Sequence, residues 1–342
     1  MTEQTRDPWR VAEQSFPASG SIAQQIRFLL GYAILAPSSH NTQPWQFRIA
    51  ESHVDLIADR ARDLRVVDPD ARELTISCGA ALYNLRLAAR CFGFQTAVDS
   101  FPDRDRSDLL ARVRFTPGGE ASAAEQALLA AIPRRRTNRA AFSARPVPPA
   151  LLEALAEAAA AEGAWFRVVA GEQERATVAA LIAEGDRLQW ADPAFRRELA
   201  SWMRPDRTTR RDGMPGAGFG IGELESLAAP VLMRTFDMGR GRAAKDQELA
   251  LGSPVLAVLG AGTDTAADRL NAGQAVARVL LRATVDDVSM SFLNQPNEIP
   301  ALRTRLGEAL GHPGWPQMLM RLGYGPPVPH TPRRPVEAVL LA

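Results

Sequence analysis

From residue 21 to 35 the apolar positions of "SIAQQIRFLLGYAIL" recur at helical spacing with no turn residue between them, which predicts a buried helix. An aromatic segment, "WQFRIA" at 45–50, then reads as a strand leading into "HVDLIAD". The same succession returns later. "PPALLEALAEAAAAEG" predicts a helix from its alanine, leucine and lack of breakers, and it runs into a second aromatic strand, "WFRVVAG" at 165–171. Two further segments match: "GAALYNLRLAARCFGF" (79–94) and "GQAVARVLLRATVDDV" (273–288) share a glycine, an alanine two positions on and apolar residues at helical spacing. Aromatic strand followed by Gly-x-Ala helix, in the same order twice, predicts a duplicated unit. The interval between those two elements is much longer in the second copy, so an insertion is expected there, roughly over 173–248. It passes through "MRPDRTTRRDGMPGAGFGIGE", a composition expected of a mobile cover or binding loop. "GAGFG" is not a dinucleotide fingerprint, because the glycine spacing is wrong and no strand precedes it.

The polar motifs of the two copies are complementary. "PSSHN" (37–41) lies between helix and strand in the first, where the second has "AAAAEGA" with Glu162 its only polar residue. The second opens with "IPRRRTNRAAF" (132–142), where the first has Arg27 as its only cation. In an extended segment Arg135, Thr137 and Arg139 point to one side. Two guanidiniums flanking a hydroxyl suit a phosphate; the alternative is a solvated basic turn. Ser38, Ser39, the Asn41 amide and free backbone N–H groups can read the polar edge of a flat heterocycle; the alternative is an elaborate helix C-cap. His40 invites a role as proton donor, but a turn histidine more commonly makes local hydrogen bonds.

Composition narrows the class. The 342 residues are 46% hydrophobic and 23% charged with a net charge of +1, ordinary for a globular protein and a poor match to nucleic acid or an acidic membrane. Two cysteines, Cys78 and Cys91, make no disulfide scaffold. The N-terminal twenty residues lack the apolar core of a signal peptide, and no apolar run is long enough for a membrane span. A cytoplasmic protein without bound metal is expected, since His40, His53, His312 and His330 show no ligand spacing.

"APSSHNTQPWQF", "RRRTNRAAF", "SMSFLNQPNEIPALRTRLG" and the C-terminal "TPRRP" (331–335) together resemble the flavin-binding motifs of the nitroreductase family, from about residue 21 to the end and excluding 200–245. The resemblance implies an α+β nitroreductase-like fold of two related halves, each with a central mixed or antiparallel sheet and flanking helices, fused on one chain as a pseudo-dimer. It divides the chain into a flexible 1–20, a first half 21–130, and a second half 131–342 carrying a lid at about 200–245. It also implies one surviving FMN site. Arg135, Thr137 and Arg139, joined by Arg333, would hold the phosphate and ribityl end. Pro37, Ser38, Ser39 and Asn41 would line the ring edge with Gln43 nearby, and Asn294 would lie in the segment facing flavin N5. Thr137 stands where the family has serine. The implied activity is FMN-dependent reduction of nitroaromatic or quinone-like substrates with NAD(P)H, by a monomer acting as an internal pseudo-dimer. The alternative is an FMN-sequestering protein with a lid and little reductase activity.

Overall fold

The computed structural model describes residues 7–51, 53–206, 208–216 and 223–342. Ser21 caps the first helix, α1 (Ile22–Ala33), through a capping box with Gln24. There follow β1 (Trp45–Ile49), β2 (His53–Ala58), α2 (Arg72–Cys91), β3 (Phe94–Ser100), β4 (Leu109–Pro117) and α3 (Ala123–Ala131). The second half begins with α4 (Pro149–Ala160) and β5 (Trp165–Val168), and continues through α5 (Glu172–Ala191), α6 (Pro193–Trp202), β6 (Met203–Arg204), β7 (Met214–Pro215), α7 (Glu223–Thr235) and α8 (Gly239–Leu251). It closes with β8 (Val255–Ala261), α9 (Ala266–Val285), β9 (Ser289–Phe292), α10 (Gln295–Glu298), α11 (Pro300–Leu310) and β10 (Trp315–Gly323).

The duplication read from the two strand–helix pairs is present in the sheets. The first sheet is ordered β1-β2-β4-β3 and the second β5-β8-β10-β9, each antiparallel throughout. Matching β1 with β5, β2 with β8, β3 with β9 and β4 with β10 superposes the two orders. The extra length of the second half enters between β5 and β8 as α5 to α8.

Gly79 and Gly273 explain why the Gly-x-Ala helices carry glycine. They lie in α2 and α9, which pack against each other at the junction of the halves. A Cβ on Gly79 would overlap the carbonyl of Leu270, and one on Gly273 the carbonyl of Ile76, so each glycine opposes its counterpart's helix in the manner of a two-fold interface. Both helices begin earlier than the sequence pattern indicated, at Arg72 and Ala266, because polar first turns precede the apolar stripe.

Two parallel bridges outside the named strands tie further segments to the sheets. Near the C-terminus, Phe47 N donates to Val339 O at 2.8 Å and Leu341 N to Phe47 O at 2.8 Å, adding a parallel segment to β1. Thr137 forms a parallel bridge to Met290 on β9. The RRRTNR segment and the C-terminal segment both reach the loop after α1, through Arg135 to Leu35 O and Arg333 to Ala36 O. Among the described residues no helix is long and apolar enough to cross a membrane.

Candidate functional site

The loop between α1 and β1 is strained. His40, Asn41 and Gln43 have φ of 51°, 54° and 52°, a left-handed conformation that costs a non-glycine residue roughly 1–2 kcal/mol. Ser38 holds it: its Oγ accepts from Gln43 N at 2.9 Å and its carbonyl from Asn41 N at 3.0 Å. Such strain persists only where the surroundings over-determine it, and it concentrates at working sites. The loop faces a cavity of about 250 Å³ whose wall includes Pro37, Ser38, Ser39, His40 and Asn41.

The same cavity is lined by Arg135, Arg136, Thr137 and Arg139. The strict alternation expected of an extended segment is broken, since Arg136 lines the cavity too; only Thr137 makes a bridge, so the segment lacks the regular pleat of a strand. Arg333 completes the wall. Its Nη1 donates to Asn41 Oδ1 at 2.8 Å and Thr331 Oγ1 at 2.7 Å, its Nη2 donates to Ala36 O at 3.0 Å, and its guanidinium lies over the Trp9 ring at 4.7 Å. Trp9, within the N-terminal stretch read as flexible, is itself buried, stacks on His330 and donates Nε1 to Thr331 O at 2.9 Å.

Among the described residues, Arg135 and Arg333 are buried cations without a carboxylate beside them. Burial, then the charge of Arg136, lowers Arg135 to about 10; burial, then the charge of Arg135, lowers Arg333 well below the ordinary arginine range. Nη1 of Arg135 and Nε of Arg333 have no hydrogen-bond partner. Arg139 is likewise lowered to about 10, by burial and then Arg242, with Asp246 opposing. His40 is pushed down to about 4 by burial and then Arg139, so near neutral pH it is an uncharged imidazole.

The carboxyl groups of the cavity carry no mark in the sequence pattern. Glu73 is buried on α2: Arg72 Nη2 donates to its Oε1 at 2.9 Å, Asn294 Nδ2 to the same oxygen at 3.2 Å, and Ser39 Oγ to its Oε2. Glu298 accepts from Gln189 Nε2 at 2.5 Å. Burial raises Glu73, and burial with the charge of Glu73 raises Glu298 far above the carboxylate range. Asp186 is pushed up to about 7 by burial and then Asp246. The nearby charges of Arg72 and Asp68 act on both Glu73 and Glu298. No local motif singles out Glu73 or Asp186; the only clue to Glu298 is its place in "NQPNEIP", beside Asn294.

Nine of the ten residues expected at the site line this cavity, and Gln43 does not. Its amide is fully buried behind the loop, where Nε2 donates to Arg211 O at 2.7 Å and Oε1 accepts from Arg334 N at 2.7 Å. Asn294 lines the cavity, but its side chain is committed to Leu319 N, at 2.9 Å, and to Glu73. The Asn41 amide is spoken for as well: Nδ2 donates to Gly213 O at 2.9 Å and Pro332 O at 3.1 Å, and Oδ1 accepts from Arg333. Asn41 is thus a strut joining three segments rather than a free reader of a ring edge.

One of those segments is the strap 203–215, which carries the parallel pair β6–β7 and places Met203, Met214 and Pro215 in the cavity wall. Asp212 fastens it, accepting from Arg62 Nη1 at 3.0 Å, Arg204 Nη2 at 3.1 Å and Arg210 Nε at 3.2 Å. The glycine-rich 217–222, part of the expected cover, lies outside the described residues. At the pseudo-symmetric position after α4, Glu162 is buried between Arg86 and Arg278, at 2.7 and 2.8 Å. An ion pair fills the place that the serine loop has in the first half.

No family model matches the chain. A Mycobacterium tuberculosis protein named "Putative NAD(P)H nitroreductase" is 36% identical over 326 residues, with 93% of this chain and 91% of the relative covered. An uncharacterised protein of the same organism is 33% identical over 324 residues, with 90% of each covered. Among solved structures, the FMN-dependent nitroreductase of Mycobacterium smegmatis in complex with NADPH aligns over 60% of this chain and 95% of that one, at 20% identity and a TM-score of 0.37.

Proposed function

This chain belongs to the nitroreductase family, and from that premise we propose an FMN-dependent NAD(P)H oxidoreductase that reduces nitroaromatic or quinone-like substrates. The observation that carries the reading is the pair of buried guanidiniums, Arg135 and Arg333, with unpartnered nitrogens and, among the described residues, no carboxylate beside them. Burying an unpaired cation is costly, so a chain that keeps two of them side by side holds them for an anion. Thr137 adds a neutral donor, a set that fits a phosphate monoester. Pro37, Ser38 and Ser39 give the cavity wall its polar edge.

When bound, FMN supplies the hydride chemistry, and the protein has to bind it, tune it and admit the partner. Arg139 would stabilise negative charge developing in the cavity. Arg333 is aimed by Asn41 and by the Trp9 ring, so both act as positioning residues for the phosphate end. We read 21–130 and 131–342 as the halves of a fused pseudo-dimer that works as a monomer in the cytoplasm, where Cys78 and Cys91 stay thiols. One FMN per chain follows, because Glu162 closes the mirror position.

A second reading, a protein that sequesters FMN, is favoured by the strap. Its backbone exchanges hydrogen bonds with Asn41 and Gln43, and Met203 and Met214 stand in the cavity wall. If the strap stays closed, nicotinamide cannot reach the ring. Flavin released on denaturation, quantified against protein, tests the shared part of both readings: about one per chain is expected. Two per chain would overturn the closure by Glu162, and a colourless protein that takes up no FMN would overturn both.

A further inference from the structure

Beyond Arg139 lies a second pocket, of about 70 Å³, lined by Arg139, Arg242, Lys245, Ser291 and Arg321 together with Asp246. Arg321, on β10, is 1% exposed. Its Nη2 donates to Asn138 O at 3.2 Å and Ala140 O at 2.9 Å, and its guanidinium lies on the Phe142 ring at 4.1 Å. Clamping the backbone of 138–140 accounts for one nitrogen. Nε and Nη1 remain buried with no partner. Asp246 does not satisfy them: its Oδ2 accepts from Arg242 Nε at 3.1 Å and from Gln295 Nε2 at 3.0 Å, and its Oδ1 has no partner. Arg139, Arg242, Lys245 and Arg321 thus share the wall of this pocket with the Asp246 carboxylate. Burial pulls Arg321 down to about 10; Asp246 opposes the shift and the charge of Arg139 adds a smaller push in the same direction as burial.

We propose that this pocket binds one small inorganic oxyanion, of the phosphate, sulfate or nitrate class, against the unpartnered edge of Arg321 with exposed Lys245 at the mouth. The volume is that of about two waters at their ~30 Å³ share of liquid, the room one such ion needs. Ser291 offers a neutral hydroxyl beside the charged donors. Neither Lys245 nor Arg321 lines the larger cavity, so this site is separate from the one read above as holding a flavin phosphate. Arg139, Arg242 and Gln295 line both pockets, and an ion here would offset positive charge at the back wall of the larger one.

Lys245 is the only lysine in the chain and provides a local reporter. The full-length protein is treated with a neutral amine-acylating reagent, with and without inorganic phosphate at constant ionic strength. Gluconate, too large for the pocket, is the balancing anion. Modification of Lys245 is followed by peptide mass, with the N-terminal amine as internal control. Phosphate should slow acylation of Lys245 saturably, roughly tenfold at ten times the dissociation constant, and leave the N-terminal amine unaffected. Arg321→Met should abolish the protection and Arg135→Met should preserve it. Should Arg321→Met fail to fold, Arg242→Gln serves as the second variant, with the same loss expected. Unchanged Lys245 reactivity in phosphate, sulfate and nitrate overturns the proposal, as does protection lost in Arg135→Met, which would place the ion in the larger cavity. A bulky phosphate monoester that protected equally well would overturn the assignment to a free ion. A protein that binds no FMN would leave this result unaffected.

Discussion

Arg135→Met should stabilise the flavin-free protein while weakening its hold on FMN. Burial and then Arg136 lower Arg135 from the ordinary arginine value to about 10, and the residue is 4% exposed. A tenfold change in proton affinity corresponds to about 1.36 kcal/mol, so the charged side chain costs the empty fold roughly 3 kcal/mol. Arginine is charged in both folded and unfolded chains below about pH 10, so this cost is constant over the working range. Against it stands one weak hydrogen bond, Nη2 to Leu35 O at 3.4 Å. Methionine fills similar space without charge, and a net gain of roughly 1–3 kcal/mol is expected. FMN should lose a charge-assisted contact worth about 1.5–3 kcal/mol, a fall in affinity of roughly 10- to 150-fold. Riboflavin, which lacks the phosphate, should bind nearly as before. Urea denaturation of apo protein and fluorescence titration with both flavins measure the two quantities. A destabilised apo variant with unchanged FMN affinity would make Arg135 a structural residue and refute the reasoning.

Asn41→Ala removes two donors and the acceptor that aims Arg333, so apo stability should fall by roughly 1–3 kcal/mol and proteolysis within 203–215 should quicken; unchanged apo melting would show that the strap is held elsewhere. Gly79→Ala should cost at least about 1–3 kcal/mol by forcing α2 off α9, whereas Gly31→Ala, with only Val11 nearby in α1, should gain roughly 0.5–1 kcal/mol; equal effects in urea denaturation would contradict the close crossing. His40 is lowered from 6.5 to about 4, so the unfolded chain binds the extra proton between those pH values and stability drops as pH falls through that window. His40→Gln should flatten that slope by about 1–3 kcal/mol between pH 7 and pH 4.5, and an unaltered slope would show that His40 titrates normally.

What the sequence made legible were features whose chemistry is local. "PSSHN" and "RRRTNR" stand out because short polar residues and clustered arginines have few reasons to sit between a buried helix and a strand. The matched Gly-x-Ala helices stand out because a backbone crossing admits no other residue at Gly79 and Gly273. Glu73 was invisible for the opposite reason: on a helix surface a carboxyl reads as solvated, and only the fold of the second half over α2 buries it. Asp186 comes from the insertion, whose path nothing in the duplicated pattern constrains. The hydrogen bonds of Asn41 to Gly213 and Pro332 are not legible in the sequence, because those partners lie far along the chain. The resemblance puts Gln43 near the ring edge, yet the left-handed residues His40, Asn41 and Gln43 leave its side chain buried behind the cavity wall.

The absorption spectrum of the purified protein under anaerobic conditions, before and after NADPH or NADH, is the most direct measurement of whether these residues serve a reductase. A yellow protein should bleach on adding the nicotinamide and regain its colour with a nitroaromatic or quinone. Yellow protein whose spectrum stays unchanged with either donor would contradict the reductase and leave a flavin-holding protein under a closed strap.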